Sequence, residues 1–250
     1  MTAMTIAGFD PSGGAGILND IKTFSALGIY GTAVITALTA QNIDRVTGIQ
    51  QVSSEFIEKQ IDAVLEQEKI EFAKTGMLYS DEIIKCVSRK IKEHQLKVVV
   101  DPVMVAGSGG FLSKKDMVVS LKKNLLPVAQ LATPNIHEAQ EISGIKIETM
   151  EDAIEAALNI GKSCNVVVTG GHLEGNDVLY DGTIKVIEGE LIESDNTHGS
   201  GCTYSSAIVS YLVKGENLEN AVKKAGEFTK ESIKYGMKGT LNQYHKCIQF

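Results

Sequence analysis

The stretch MTIAGFDPSGGAG, residues 4–16, joins a short apolar run to a glycine-rich loop, and this junction decides the fold class. MTIAG predicts a buried strand, and a helix is expected to follow toward Leu27. Glycines at positions 13, 14 and 16 let the backbone approach a ligand closely and leave free amides at the helix start. Because a tight turn alone would explain two of them, ligand contact and simple turn formation both stay open.

Five further runs have the composition of buried strands and alternate with helix-length segments. They are TAVITAL at 32–38, EFAKTGM at 71–77, KVVVDPV at 97–103, VAQLATPN at 128–135 and NVVVTGG at 165–171. The segments 53–67 and 150–160 carry apolar residues at helical spacing, with Phe56 and Ile57 among them, and are predicted to be covering helices. This alternation predicts an α/β fold with a central, mostly parallel sheet and helices on both faces.

The last third of the chain has a different pattern. From Asp177 to Ser194 the sequence DVLYDGTIKVIEGELIES alternates around Asp-Gly and Glu-Gly turns, which predicts a small antiparallel hairpin region. Two helices are expected from about residue 201 to residue 235. No linker, repeat or low-complexity tract interrupts the chain, so we predict one domain over residues 1–250.

Composition restricts the classes of partner. The chain has 250 residues, of which 43% are hydrophobic, enough to bury a large core. Its net charge of −7, without clusters of basic and aromatic residues, argues against nucleic acid as a partner. A phosphorylated ligand would therefore be held by local groups, namely backbone amides, helix N-termini and a metal ion.

Cysteines and apolar segments indicate the compartment. The four cysteines, at positions 86, 164, 202 and 247, form no CxxC pair, so neither a disulfide framework nor a zinc site is predicted. The N-terminus lacks the features of a signal peptide, and no stretch approaches the length of about eighteen apolar residues that a membrane helix needs. We predict a cytoplasmic protein without a membrane partner.

The motif HGSGC, residues 198–202, follows the predicted hairpin and opens a helix near Gly201. Its amides would be the unpaired donors of a helix N-terminus, which bind anionic oxygens. A thiol at this place would have its pKa lowered by the helix dipole and the amides, which favours the thiolate. These residues alone are equally compatible with a buried, inert Cys202.

Asn135 and Glu138, in TPNIHE, lie on one face of a predicted first helical turn. They are interpreted as a helix cap, or as oxygen ligands for Mg²⁺ beside a phosphate site. Asp101 could assist the same cation or simply end a strand. Ligands of open α/β sheets bind beyond the carboxyl ends of the strands, so these loops should converge on one site.

Several other motifs carry little functional weight. AALNIGKS at 156–163 lacks the first glycine of a phosphate-binding loop and precedes a strand, so it is predicted to be a helix C-terminus. His94, His137 and His245 are treated as structural or solvated, and the role of His172 stays open. No Ser-His-Asp order or GxSxG elbow supports hydrolase chemistry.

Together these motifs resemble the ribokinase-like kinases, and specifically the hydroxymethylpyrimidine and phosphomethylpyrimidine kinases of thiamin biosynthesis. The resemblance runs from about residue 5 to residue 235 and rests on TIAGFDPSGGAGILNDIKTFSALGIYG, ITALTAQN, KTGML, VVVDPVM, TPNIHEA, TGGH and THGSGCT. It implies a ribokinase-like fold, a homodimer, and use of ATP and Mg²⁺. The implied reaction phosphorylates 4-amino-5-hydroxymethyl-2-methylpyrimidine to its monophosphate and then to the diphosphate.

The resemblance also implies roles for individual residues. Cys202 would be the base that accepts the hydroxyl proton, in a loop whose amides form an anion hole, namely those of Gly199, Ser200, Gly201 and Cys202 itself. The pyrimidine pocket would be lined by Gly8, Ala15, Asp20, Gln41, Met77 and Val103. The nucleotide side would be formed by Asn135 and Glu138, which face Mg²⁺ and the phosphates, by Asp101, which assists the cation site, and by Thr169, Gly170 and Gly171.

Three positions depart from the family pattern. Thr169 stands where many relatives carry a lysine, GTLNQ at 239–243 stands where relatives often read Gly-Pro-Val-Asn-His, and Thr39 stands where an apolar residue is common. The main alternative is a pyridoxal kinase of the same fold. Gln41, in the family's Ala-Gln-Asn sequence, favours the pyrimidine. A non-catalytic pyrimidine-binding regulator is disfavoured because Cys202, Asn135 and Glu138 are all present.

Overall fold

The strands are β1 Thr2–Phe9, β2 Tyr30–Gln41, β3 Val46–Gln51, β4 Phe72–Thr75, β5 Lys97–Val100, β6 Leu131–Ala132, β7 Asn165–Val168, β8 Asp177–Tyr180 and β9 Ile184–Ile187. The helices are α1 Gly16–Ala26, α2 Ser54–Gln67, α3 Asp81–His94, α4 Lys115–Ser120, α5 Ile136–Ser143, α6 Met150–Ile160, α7 Ser200–Val213 and α8 Leu218–Lys234. This computed structural model describes residues 1–104, 115–171, 173 and 175–246. Residues 105–110, His172 and Cys247 therefore lie outside the described residues.

All nine strands form one sheet in the order β3-β2-β1-β4-β5-β6-β7-β8-β9. The six strands from β2 to β7 in this order pair in parallel, whereas β3, β8 and β9 pair antiparallel. The predicted mostly parallel sheet and the predicted hairpin of β8 and β9 are therefore confirmed. The sequence analysis missed β3, because this edge strand is polar and largely exposed and gives no alternating apolar pattern.

Alternate residues of the central strands enter two separate cores. Val98 and Val100 of β5 pack in the core that includes Ile57 of α2 and Ile83 of α3. Val99, between them, packs in the core on the opposite face of the sheet, with residues of α1, α7 and α8. This alternation of β-strand side chains explains why near-continuous apolar runs are buried on both faces. The prediction of helices on both faces is confirmed.

The predicted covering helices form, with one exception in their packing. Ile57 and Ile61 of α2 are wholly buried, whereas Phe56 is 57% exposed. Phe56 directly precedes Ile57, and successive helical residues are rotated by about 100° around the axis, so the two cannot share the buried stripe. The helix C-terminus predicted at AALNIGKS is also confirmed, because α6 ends at Ile160 and Gly161 is its C-cap.

The carboxyl ends of the parallel strands lie at one edge of the sheet. Asp10 follows β1, Gly76 follows β4, Asp101 follows β5, Thr133 follows β6 and Thr169 follows β7. This edge therefore gathers the polar and glycine-rich loops of the sequence analysis in one place. Among the helices of the described residues, none combines the length and the apolar character that a bilayer crossing requires.

Candidate active site

A cleft of about 1330 Å³ opens at the carboxyl edge of the sheet. The predicted site residues that line it are Gly8, Ala15, Gln41, Met77, Asp101, Val103, Asn135, Glu138, Thr169, Gly171, Gly199, Ser200, Gly201 and Cys202. Of the sixteen predicted residues only Asp20 and Gly170 do not line the cleft. The structure thus brings together loops that are separated by up to about 190 residues of sequence.

Helix α7 begins in the cleft without a side-chain cap. Its N-cap, Gly199, has φ 89, and any Cβ at this residue would overlap the carbonyl of Gly14, so glycine is required. The Ser200 amide is already bonded to the Thr197 carbonyl at 3.1 Å. Within the described residues, the amides of Gly201 and Cys202 have no hydrogen-bond acceptor, so they are the donors that remain for an anion.

Asn19 joins the two glycine loops. Its side-chain Nδ2 donates to the carbonyl of Gly14 at 2.7 Å and to that of Gly199 at 3.3 Å, and its Oδ1 accepts from the Thr203 hydroxyl at 2.9 Å. Asn19 is wholly buried. The sequence analysis missed this residue because an asparagine one turn into a helix has no distinctive local signal.

A second link between the loops is formed by Asp10 and His198. Asp10 accepts hydrogen bonds from the amides of Ser12 at 2.8 Å and Ala15 at 3.0 Å, and its Oδ2 lies 2.9 Å from His198 Nε2. Burial opposes the charge of Asp10, but the hydrogen bonds from His198 and Ser12 lower its pKa below the ordinary value. This pair, which the sequence analysis also missed, fixes the helix-start loop against the first glycine loop.

Beneath α7 lies a buried group of charges centred on Lys74. This lysine of β4 is wholly buried, and its Nζ lies 2.7 Å from Asp20 Oδ1 and 3.5 Å from Asp101 Oδ2. Burial opposes the ammonium form, but attraction to Asp20, Cys202 and Asp101 raises the Lys74 pKa. The lysine within the apolar run EFAKTGM was the available signal, because a buried strand rarely carries an unpaired cation.

Asp20 supports this group of charges rather than the pocket wall. Its carboxylate accepts from the Thr5 hydroxyl at 2.6 Å and the Ser206 hydroxyl at 2.8 Å, in addition to Lys74. The residue is wholly buried and does not line the cleft. The prediction that Asp20 lines the pyrimidine pocket is therefore corrected: its donors hold the carboxylate inside the protein.

Cys202 lies at the first turn of α7, between the two glycine loops. The backbone N–H of Gly16, at the uncapped start of α1, faces its sulfur. Burial raises the pKa of the thiol to about 12; Lys74 lowers it, while Asp101 and Asp20 raise it further. The prediction of a lowered pKa is wrong, because burial and the two carboxylates outweigh the helix dipole.

Glu138 and Asn135 form a complete capping box at the start of α5. Asn135 Oδ1 accepts from the Glu138 amide at 2.9 Å, and Glu138 Oε2 accepts from the Asn135 amide at 3.0 Å. Burial raises the pKa of Glu138 to about 8, and repulsion from Asp101 contributes. The interpretation of this motif as a helix cap is confirmed.

The same carboxylates fit a divalent cation. Glu138 and Asp101 both line the cleft, and burial also raises the pKa of Asp101 in spite of Lys74. Two buried carboxylates that repel one another are stabilised by an added positive charge, and oxygen donors are the ligands that Mg²⁺ prefers. The cap and the cation interpretations are therefore compatible, because the capping bonds leave other lone pairs of the carboxylate available.

The residues predicted for the pyrimidine pocket that lie in the cleft wall are Gly8, Ala15, Gln41, Met77 and Val103. A Cβ at Gly8 would overlap the Met77 Sδ-methyl group, so glycine here keeps the methionine in place. Within the part of the chain that the structure describes, the Gln41 side-chain amide has no hydrogen bond to protein. Its donor and acceptor are therefore available to a ligand.

Two departures from the family pattern are accounted for by contacts. The Thr39 hydroxyl donates to the Phe9 carbonyl at 3.0 Å, so this polar group is satisfied within the protein. Gly239 accepts from the His198 amide at 3.1 Å, and Gln243 donates to the Thr203 hydroxyl at 3.3 Å. The segment GTLNQ thus supports the helix-start loop.

The loop 169–171, which is predicted to contact the nucleotide, follows β7. The Thr169 amide donates to the Pro134 carbonyl, and the Gly170 amide donates to Asp177 Oδ1, both at 2.9 Å. Gly171 and Thr169 line the cleft, whereas Gly170 faces away from it and packs on the backbone of Asn176. The prediction for Gly170 is corrected to a packing role.

Comparison with known proteins identifies the family. The model of the family described as phosphomethylpyrimidine kinase matches residues 10–248. The chain is 40% identical over 239 residues to the hydroxymethylpyrimidine/phosphomethylpyrimidine kinase of Bacillus subtilis, covering 92% of this chain and 88% of that protein. It is 42% identical over 241 residues to the thiamine biosynthesis bifunctional protein ThiED of Geobacter sulfurreducens, covering 93% of this chain but only 49% of that longer protein.

Solved structures show the same fold. A phosphomethylpyrimidine kinase from Clostridium difficile 630 superposes with a TM-score of 0.83 at 41% identity, over 93% of this chain and 99% of that chain. An ADP complex of Bacillus subtilis pyridoxal kinase superposes with a TM-score of 0.87 at 38% identity, over 97% of this chain and 94% of that chain. The fold is ribokinase-like, as predicted, and the chain belongs to the phosphomethylpyrimidine kinase family.

Proposed function

We propose that the protein phosphorylates 4-amino-5-hydroxymethyl-2-methylpyrimidine with ATP, and then phosphorylates the monophosphate to the diphosphate, in thiamin biosynthesis. One observation carries the proposal: Cys202 stands at an uncapped helix start, between a pocket with a free Gln41 amide and the loop 169–171. Phosphoryl transfer depends mainly on positioning and on neutralising charge. The cleft brings Gln41, Cys202, Thr169 and Gly171 into one lining, which supports both requirements.

The chain's own groups have distinct tasks in this reaction. Gln41 donates to and accepts from the edge of the aminopyrimidine ring and orients its hydroxymethyl group toward Cys202. The amides of Gly201 and Cys202 donate to the oxygens of the transferring phosphoryl group. Asp101 and Glu138 would hold a divalent cation, which would supply charge neutralisation to the ATP phosphates.

Cys202 accepts the hydroxyl proton at Sγ. Because burial holds its pKa at about 12, the thiolate is a minor form at neutral pH, and Lys74 is the cation that favours it. In a loose transition state the hydroxyl becomes acidic only as its oxygen bonds to phosphorus, so the proton moves late. The rate should therefore rise with pH above neutrality.

Two further parts of the proposal concern the setting. The described cysteines, Cys86, Cys164 and Cys202, are free thiols, which supports the cytoplasm as the compartment. A homodimer is proposed from the family resemblance. Size-exclusion chromatography with light scattering measures it: a mass near twice 26.9 kDa is expected.

A pyridoxal kinase is the second candidate, favoured by the superposition on the Bacillus subtilis enzyme at 38% identity. Steady-state ADP release with Mg-ATP and the pyrimidine alcohol, its monophosphate or pyridoxal separates the two. We expect both pyrimidines to turn over well and pyridoxal poorly. The Gln41→Leu variant should no longer prefer the pyrimidines over pyridoxal. Preference for pyridoxal would keep the Cys202 mechanism and reject the substrate.

A further inference from the structure

Asp177 is a half-buried carboxylate that the proposed reaction does not use. It begins β8, lines the cleft, and joins two parts of the site. Its Oδ1 accepts from the Gly170 amide at 2.9 Å, and its Oδ2 accepts from the Tyr204 hydroxyl at 2.6 Å. Tyr204 is two residues beyond Cys202 in α7. The Asp177 carboxylate therefore connects the loop 169–171 to the helix that carries Cys202.

Both donors to Asp177 are neutral, and among the described residues it has no ion-pair partner. Burial raises the Asp177 pKa, while Tyr204 and the Gly170 amide lower it. Hydrogen bonds to an ionised carboxylate are shorter and stronger than neutral ones, and removal of one partner leaves a buried group unsatisfied. The bridge is therefore costly to break, because loss of either donor leaves one oxygen of this half-buried carboxylate without its partner.

Within the described residues, the other hydrogen bonds of the loop 169–171 run to the segment after β6 and to the start of the hairpin. The Thr169 amide donates to the Pro134 carbonyl at 2.9 Å, and the Gly175 amide donates to the Gly170 carbonyl at 3.1 Å. A side chain at Gly170 would overlap the Asn176 carbonyl, so loop and hairpin start pack backbone to backbone. The hydrogen bond to Tyr204 is the direct bond by which this unit is held to α7.

We propose that Asp177 is a positioning residue for the phosphoryl donor. It sets the distance between the loop 169–171, where the nucleotide is expected, and the first turn of α7, where the phosphoryl group is transferred. The inference rests on the proposed use of ATP, but not on the identity of the acceptor. A displacement of about 1 Å between these elements would reduce productive alignment.

Three variants test the bridge. Asp177→Ala removes both bonds, and Tyr204→Phe removes one. Asp177→Asn retains them, because the asparagine carbonyl can accept from Gly170 while its amide donates to Tyr204 Oη. Tyr211→Phe is the matched control, since Tyr211 lies on α7 away from the cleft and no hydrogen bond involves its hydroxyl in the described residues.

We expect Asp177→Ala to raise the KM for Mg-ATP about tenfold, the scale of a lost hydrogen bond to a buried charge, with the pyrimidine KM within about twofold. Tyr204→Phe should raise the KM for Mg-ATP about threefold, and Asp177→Asn should keep this KM within about twofold of the parent value. Thermal unfolding of each variant and ADP affinity by calorimetry, without pyrimidine, complete the set.

A purely structural bridge would lower the melting temperature and leave ADP affinity and the Mg-ATP KM of the folded protein unchanged, which would overturn the inference. If Asp177→Ala does not fold, Tyr204→Phe decides: an unchanged ratio of the two KM values rejects the role. Should the parent protein bind ADP but phosphorylate no pyrimidine, the proposed function fails, while the variants' ADP affinities still test the bridge.

Discussion

Two of the helices that begin at the cleft, α5 and α7, have differently capped N-termini. In α5 the side chains of Asn135 and Glu138 cap the first turn on both sides. In α7 the N-cap is Gly199, in the left-handed region, with no side-chain cap. A capped start satisfies its own amides and presents side-chain oxygens, whereas an uncapped start presents the amides themselves. The first suits a cation and the second an anion.

The surroundings of the two helix starts differ in charge as well. Lys74 lies beneath α7, against Asp20 and Asp101, and is fully enclosed. Glu138 at α5 has hydrogen bonds from amides but no ion-pair partner among the described residues, and burial raises its pKa to about 8. The charge of the carboxylates beneath α7 is therefore balanced by Lys74, whereas the charge of Glu138 at α5 is left for a ligand to balance.

Removing Lys74 should have the largest effect on stability. Lys74→Met leaves Asp20 and Asp101 buried together without a cation, and we expect the free energy of unfolding to fall by about 3–5 kcal/mol in urea titrations. Lys59→Met is the control, because Lys59 and Glu55 form an exposed ion pair that solvent screens, so its loss should leave the stability nearly unchanged. Equal losses for the two variants would show that Lys74 does not balance the site.

Gly199→Ala should damage the uncapped helix start. The alanine must adopt φ near 89 and also displace the Gly14 backbone, so we expect a loss of about 2–4 kcal/mol and of most activity. Gly215→Ala has φ 88 but open space around the position, so it should cost only about 1 kcal/mol. A Gly199→Ala protein as stable and active as Gly215→Ala would contradict the close contact of the two loops.

The pH dependence of α5 follows from Glu138, whose pKa is raised from 4.5 to about 8. The folded protein holds this proton where the unfolded chain has lost it, so this contribution to stability is complete below about pH 4.5 and is lost as the pH rises through 8. Glu138→Gln keeps the capping box and should reduce the change of the unfolding free energy with pH by about 1–3 kcal/mol. Urea midpoints at pH 5 and pH 8.5 for both proteins measure it, and identical pH dependence would refute the assignment.

Mg-nucleotide binding offers a smaller signal from the same group. A cation beside Glu138 favours its ionised form, so binding at pH 7 should release a fraction of a proton that Glu138→Gln does not release. Titration calorimetry in two buffers of different ionisation enthalpy counts the protons. Equal release by both proteins would place the cation elsewhere.

The sequence predicted what depends on local pattern. Apolar runs identified the six parallel strands, the Asp-Gly turn identified the β8–β9 hairpin, and the spacing of Asn135 and Glu138 identified a cap. It missed the polar edge strand β3, whose pairing with β2 is not written in its own residues. Apolar periodicity arises where one face of an element is buried. Because both faces of β3 are mostly exposed to solvent, its residues show no such pattern.

What the sequence could not predict depends on contacts between distant segments. Asn19 bonds to Gly199, His198 to Asp10 and Asp177 to Tyr204, each across at least 27 positions. The shift of the Cys202 pKa was predicted with the wrong sign. Burial raises this pKa, and Asp20 and Asp101, which are distant in sequence and come close to the thiol only on folding, raise it further. Local rules supply the helix dipole, but the burial and the buried carboxylates outweigh it.

The most direct test of the account compares Cys202→Ala and Cys202→Ser with the parent protein in phosphoryl transfer from Mg-ATP to the pyrimidine alcohol between pH 6 and pH 9.5. We expect both variants to lower kcat by about 10²-fold or more, to change the pyrimidine KM little, and to lose the rise of the rate with pH that the parent protein shows. A variant with unchanged kcat and the same pH profile would remove the thiol from the reaction and leave the uncapped start of α7 as an anion site alone.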